Sequence, residues 1–168
     1  MRFTTRRLFL AIAVIALTIG GFRWMLSDSS RFLFNTGFRV PLGAKVITTG
    51  DSHGGFHGDG EFHLVFDTRT STIDKWLVQP PPWGNPTWLK GPVPGSIGFH
   101  AKFGTDGVGA HSVDGINYKY SGDEQLASLL SSPDIWYAAR ERQSDWHNGD
   151  LLIVDPTANR IWYAEWDF

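Results

Sequence analysis

The densest group of residues that could do chemistry lies between positions 51 and 63. This segment reads DSHGGFHGDGEFH, and it holds three of the six histidines with carboxylates between them. Imidazole is a common zinc ligand, and carboxylate oxygens suit zinc, calcium or magnesium. If the glycines fold the loop back over the start of the next strand, the segment can bind zinc or another divalent metal. The candidate ligands are His53, His57, Asp59, Glu61 and His63.

The same segment supports two other interpretations. Its four glycines permit positive φ, so that it can be a glycine-rich turn in which His and Asp side chains bond to backbone groups. It can also be a polar binding or acid–base surface. The spacing matches no metal-binding signature, and the order of the glycines, with no Lys after them, is wrong for a phosphate-binding loop. The residues therefore leave a turn, a metal site and a polar surface open.

The segment also carries a resemblance. The block HGGFHGDGE, with the chain from residue 41 that leads to it, the turn at Asp155 and the C-terminal YAEWD, resembles small exported or membrane-anchored bacterial proteins of uncharacterised families. These stretches make up about a third of the chain. The resemblance implies that the glycine-rich loop and the C-terminal hairpin belong to one fold, and it implies no activity.

The rest of the chain contains no complete catalytic signature. It has no cysteine, which excludes disulfides and a cysteine nucleophile, and no serine stands in a G-x-S-x-G elbow. A pair of carboxylates for sugar hydrolysis is conceivable, but the sequence selects none among Asp59, Glu61, Glu141 and Glu165. The other histidines are dispersed, and each is expected to be a hydrogen-bonded structural residue: His100, His111 and His147. These observations favour a protein that is not an enzyme.

Residues 79–98 read as a loop rich in proline and glycine that contains Trp83 and Trp88. Loops of this length in compact domains are usually functional or disordered. Loop aromatics can stack on a sugar or anchor a protein partner, and they can equally fold back onto the core as a lid. The predicted binding surface combines both tryptophans with the glycine-rich loop, and consists of Trp83, Trp88, His53, His57 and Asp59.

The N-terminus has the pattern of an export signal or signal anchor. Residues 8–22 are apolar or small and follow three arginines, and the chain through residue 26 brings the stretch to 19 residues, near the roughly 20 that cross a bilayer. We expect an uncleaved transmembrane helix, with the N-terminus in the cytoplasm and the rest of a single-pass bacterial inner-membrane protein in the periplasm. The hexapeptide TRRLFL resembles a twin-arginine export signal, so that both export routes stay open.

The charge distribution argues against nucleic acid as a partner. Four of the 15 Lys and Arg residues lie within the first 23 positions, and the remaining eleven stand against 17 acidic residues. A domain that carries this excess of negative charge repels a phosphate backbone.

The regular elements predict a small α+β fold. Residues 61–67 alternate apolar and polar as a half-buried strand does, and residues 151–154 and 161–168 read as a hairpin around a turn at Asn159. Two short helices follow the possible capping residues Ser71 and Ser121. We expect an antiparallel sheet of four to six strands with two short helices. The predicted divisions are an n-region and transmembrane anchor (1–26), a linker (27–40) and an extracytoplasmic domain (41–168).

Together these patterns predict a membrane-anchored binding module without a cofactor that acts on a protein partner, as an inhibitor or immunity-type protein does. The alternative is a metal-binding domain or metal-dependent hydrolase that uses the cluster at residues 53–63. A third possibility is binding of cell-wall carbohydrate by the loop tryptophans.

Overall fold

The computed structural model describes residues 5–25, 27–53, 59–113 and 117–168. The chain divides into two compact units, Met1–Val40 and Pro41–Phe168. The first unit is helical, and the second contains every strand of the described residues.

The first unit consists of the helices α1 (Thr5–Met25) and α2 (Asp28–Thr36). Helix α2 begins at Ser27, whose hydroxyl accepts a hydrogen bond from the N–H of Ser30. It ends at Gly37, which has a φ of 77° and donates its N–H to the carbonyl of Leu33. A polar N-cap and a left-handed glycine thus delimit this helix.

The predicted transmembrane helix is contradicted. Within the described part of the chain, no helix is both long enough and apolar enough to cross a membrane. Helix α1 has 21 residues, but Arg6, Arg7 and Arg23 confine its uninterrupted apolar run to residues 8–22. That run falls short of the roughly 20 residues that a bilayer core requires. The finding overturns the signal anchor, the fold class that included it, and the single-pass inner-membrane location.

The second unit is built on a six-stranded antiparallel sheet. Almost every side chain between the ends of its central strands is buried, and since successive side chains point to opposite faces, both faces of the sheet are covered. Its strands are β1 (Lys45–Asp51), β2 (Gly60–Asp67), β3 (Leu89–Lys90), β6 (Trp136–Gln143), β7 (Asn148–Asp155) and β8 (Arg160–Asp167). They lie in the order β1, β2, β8, β7, β6, β3.

A second, two-stranded sheet and three helices complete this unit. The small sheet pairs β4 (Val108–Val113) with β5 (Asn117–Gly122). The helices are α3 (Thr70–Leu77), α4 (Gly95–Gly98) and α5 (Glu124–Ser131). The described chain is thus an α+β protein with two sheets and five helices, where the sequence predicted one sheet and two helices beside the anchor.

One face of the large sheet carries the main core. Val65, Leu151 and Ala164 project from neighbouring strands and meet the apolar stripe of α5, which consists of Leu126, Leu129 and Leu130. On the opposite face, Phe66 meets the α3 residue Trp76 edge to face, with ring centroids 6.3 Å apart. Because both faces of the sheet are covered, the side chains that a ligand could reach lie mostly at the ends of the strands.

Candidate ligand-binding site

Functional candidates gather at one end of the large sheet, which we call the Asp167 end. Strand β8 finishes there at Asp167, which pairs with Gly60 at the start of β2 and with Asn148 at the start of β7. Strand β1 also finishes at this end, where Asp51 pairs with Phe62. The connection between β1 and β2, which contains the histidine-rich segment, therefore starts and finishes at the Asp167 end.

A cavity of about 650 Å³ opens at this end, on the face that carries the main core. Its walls are formed by Phe99, His100 and Lys102 before β4, by His147 before β7, and by Phe168 after β8. The volume lies within the roughly 300–1,000 Å³ typical of small-molecule sites. Most of the wall is apolar, and the polar groups converge from three separate segments.

Aromatic rings form the inner wall of the cavity. The imidazole of His100 stacks on the buried indole of Trp166, with centroids 6.1 Å apart and planes 10° from parallel. The phenyl ring of Phe99 lies edge-on to His100 at 5.1 Å, and the ring of Phe168 lies at 6.2 Å. Phe99 and Phe168 are about half exposed, so that their rings remain accessible to a ligand.

Local structure holds these rings in place. Helix α4 ends with the N–H of Phe99 donating to the carbonyl of Gly95, and the N–H of His100 donating to Ile97. The side chain of Asn148 accepts from the N–H of Phe168 at 3.1 Å, which orients the last residue of the chain. The rings are thus positioned by backbone hydrogen bonds.

The electrostatics of the cavity are set by Lys102, Asp106 and two histidines. The aliphatic stem of Lys102 lies beside Gly107, where an added Cβ would stand 3.2 Å from the Lys102 Cγ. Its ammonium lies 5.7 Å from the centre of the Phe168 ring. Burial, with smaller contributions from His147 and Lys102, lowers the pKa of His100. His100 is therefore neutral at physiological pH and can donate or accept a hydrogen bond.

The predicted metal ligands His53, Glu61 and His63 each contact another group of the chain. The Nδ1 of His53 lies 2.7 Å from the Asp51 carboxylate, and its Nε2 lies 3.5 Å from that of Asp167. The Nε2 of His63 lies 3.3 Å from the Thr48 hydroxyl. Glu61 accepts a hydrogen bond from the backbone N–H of Phe103 at 2.6 Å.

No group of three or more His, Asp or Glu side chains that could hold a metal occurs in residues 5–25, 27–53, 59–113 and 117–168. Asp59 is exposed beside the glycine-rich loop. His57 falls outside the described residues, so that the complete ligand set for zinc or another divalent metal stays a prediction.

The two loop tryptophans occupy different environments. Trp88 is only 8% exposed, and its indole N–H donates to the carbonyl of Gln79 at 3.0 Å. Trp83 is half-buried and its ring lies 5.4 Å from the guanidinium carbon of Arg140. Trp88 therefore offers little surface to a partner, and Trp83 is the loop tryptophan that a partner could reach.

A network of ion pairs on the opposite face of the Asp167 end was not predicted from the sequence. Asp150 is fully buried, and its carboxylate lies 2.8 Å from the Arg140 guanidinium and 3.2 Å from that of Arg142. The hydroxyl of Tyr163 donates to the same carboxylate at 3.1 Å. Burial nevertheless raises the pKa of Asp150, against the lowering effect of both arginines.

The arginine side of this network extends towards the histidine-rich segment. Arg142 also lies 3.1 Å from the carboxylate of Asp167, which in turn faces the Nε2 of His53. The N–H groups of Arg142 donate to the carbonyls of Gly149 and Trp166. The network ties the ends of β6, β7 and β8 together. Because Asp150 is buried, it serves to hold the strands in register.

The sequence contained only a partial signal for the cavity. The sequence shows His100 and His147 but predicts that each is a hydrogen-bonded structural residue. Phe99, Lys102 and Phe168 belong to no motif. Phe168 continues the alternation of Trp162, Ala164 and Trp166 along β8, which was the one available signal that its ring lies on the same face. No family model, curated protein or solved structure matches the chain.

Proposed function

We propose that this protein is a binding module whose ligand occupies the aromatic cavity at the Asp167 end. The observation that carries the proposal is the cavity itself, which has a volume of about 650 Å³ and is walled by Phe99, His100 and Phe168. A ligand that covers apolar rings removes them from contact with water, which lowers the free energy of the complex. A few convergent polar groups at the rim, here Lys102 and His147, are typical of sites that orient a ligand.

Binding is favoured over catalysis because the two carboxyl groups whose pKa values are raised by burial, Glu61 and Asp150, lie outside the cavity wall. Glu61 and Asp150 are buried, and each is engaged by a backbone or side-chain donor. Among the lining residues that the structure describes, no contact joins an acid and a base that a third residue holds in place, as general acid–base or nucleophilic catalysis would require.

The proposal is tested with a neutral apolar dye, N-phenyl-1-naphthylamine, whose fluorescence rises in an apolar site. We expect saturable binding of one dye per chain. Phe168→Ala removes one wall of the cavity at the chain end and is expected to weaken dye binding severalfold.

The matched control is Phe34→Ala, because Phe34 is a similarly exposed phenylalanine (65% exposed) that belongs to the first unit. Its removal is expected to leave dye binding unchanged. Absence of saturable binding, or equal effects of the two substitutions, would refute the proposal. An inhibitor or immunity-type role and carbohydrate binding stay predictions, since no contact described above distinguishes them.

A further inference from the structure

We infer that the ligand of this cavity is a planar aromatic carboxylate, with its ring against Phe99, His100 and Phe168 and its carboxylate at Lys102. The inference rests on the proposed function, because it specifies the occupant of the same cavity. It is drawn from the shape and from the charge of the walls.

The shape of the walls favours a flat ring. The His100 ring stacks on the Trp166 indole. Its centroid lies 5.1 Å from that of Phe99 and 6.2 Å from that of Phe168. Aromatic pairs prefer stacked or edge-on arrangements with centroids about 4.5–7 Å apart. A planar ligand can make both kinds of contact here, because the two phenylalanines are about half exposed.

The charge of the walls favours an anion over a cation. In the described part of the wall, Lys102 carries the permanent positive charge, and the N–H groups of His100 and His147 can donate to a carboxylate. Among the lining side chains that the structure describes, Asp106 supplies the one carboxylate. The face of the Phe168 ring, where a cationic ligand would bind, is already approached by the Lys102 ammonium. A cationic ligand would therefore meet like charge at its preferred position.

Three naphthalene derivatives of nearly equal size test the inference: 2-naphthoate, 2-naphthamide and 2-naphthylmethylammonium. Dissociation constants are measured by isothermal titration calorimetry at pH 7 on the full chain. We expect the carboxylate to bind roughly two- to fivefold more tightly than the amide, which is the range for an exposed ion pair. The ammonium derivative is expected to bind most weakly.

Substitutions at Lys102 identify the residue responsible. Lys102→Met retains the stem beside Gly107 and removes the charge, so that the carboxylate and the amide should bind equally. Lys102→Arg keeps the charge and should retain the preference. Lys75→Met removes an exposed lysine on α3, outside the cavity wall, and should leave the preference unchanged.

The outcomes separate this inference from the proposed function. If the dye and the amide bind but the carboxylate has no advantage, the ligand class is wrong and the binding cavity stands. A preference that survives in Lys102→Met likewise overturns the inference. If the dye shows no saturable binding, the proposed function itself fails.

Discussion

The carboxylate of Glu61 accepts a hydrogen bond from the backbone N–H of Phe103 at 2.6 Å, and this contact ties β2 to the segment that forms one wall of the cavity. Glu61 is 7% exposed. Burial raises its pKa to about 7, although the Phe103 N–H and the charge of Lys102 act in the opposite direction. The folded protein therefore binds the Glu61 proton more tightly than the unfolded chain does.

Replacement of Glu61 by Gln is expected to stabilise the protein at alkaline pH. Between about pH 4.5 and pH 7 the unfolded chain loses the proton first, so that the wild-type free energy of unfolding falls as the pH rises. The glutamine side chain would keep an acceptor for the Phe103 N–H without a charge. The gain should be near zero at pH 4 and reach about 3 kcal/mol at pH 8.

Urea denaturation across this pH range measures the effect. Glu141→Gln is the control, because Glu141 is exposed and accepts a hydrogen bond from the N–H of Trp146. The Glu141→Gln substitution removes the same charge, but from a carboxylate that is exposed to water and therefore pays no desolvation penalty. A Glu61→Gln gain that does not grow between pH 5 and pH 8 would contradict the assignment of a desolvated carboxylate.

Local patterns along the sequence predicted the central strands well. The alternation over residues 61–67 corresponds to β2 (Gly60–Asp67), but this strand is buried on both faces, not on one as the alternation predicts. The turn before β8 has Asn159 in the left-handed conformation with a φ of 53°. The strand and the turn both follow from neighbouring residues alone. The capping residue was misplaced for both short helices, since Arg69 and Asp123 precede α3 and α5. Several polar residues near each helix start could cap it, and tertiary packing selects among them.

The cavity could not be predicted, because its walls come from distant parts of the chain. Phe99, His147 and Phe168 are far apart in the sequence, and they line one cavity in a fold where β2, β8 and β7 are neighbours in the sheet. The buried Asp150 was equally hidden, since a lone Asp in an apolar strand gives no indication of its arginine partners. Their arrangement depends on the register that places Arg140 opposite Asp150.

Removal of the buried carboxylate at Asp150 is expected to destabilise the fold. Asp150→Ala leaves the guanidinium of Arg140 and the hydroxyl of Tyr163 without their buried acceptor. The two arginines keep access to water, since 37% of the Arg140 side chain and 28% of the Arg142 side chain are exposed, so that the cost comes mainly from the buried Tyr163 hydroxyl and is expected to be about 1–3 kcal/mol. Urea denaturation at pH 7 measures the change, with the exposed Asp134→Ala as control. A cost below about 1 kcal/mol would show that the network contributes little.

The two loop tryptophans should differ sharply in their contribution to stability. Trp88→Ala removes a buried indole and its hydrogen bond to Gln79, which should cost about 3–5 kcal/mol. Trp83→Ala removes a half-buried ring beside Arg140, where a cation–π contact contributes about 0.5–1 kcal/mol. Thermal denaturation of the two variants compares them directly. Equal melting temperatures would contradict the different placement of these side chains.

Three glycine substitutions separate backbone strain from crowding around His63. An added Cβ at Gly104 or at Gly50 would stand 2.6 Å from the His63 ring. At Gly43 an added Cβ would meet no atom within 4 Å. Gly104 and Gly43 have positive φ angles, of +76° and +82°. Gly43→Ala should therefore cost about 1–2 kcal/mol from strain alone. Gly50→Ala should cost about 1–3 kcal/mol from crowding alone.

Gly104→Ala combines strain and crowding, and should be the most destabilising of the three. Adding His63→Ala creates space beside residue 104, so that the double variant should cost less than the sum of the two single substitutions. A double-mutant cycle by urea denaturation measures this coupling, and the pair Gly43→Ala with His63→Ala provides the uncoupled reference. Additive costs in both cycles would show that the His63 ring does not occupy the space beside Gly104. A coupling confined to the Gly104 cycle would place the imidazole there, between β1 and the segment that leads into the cavity wall.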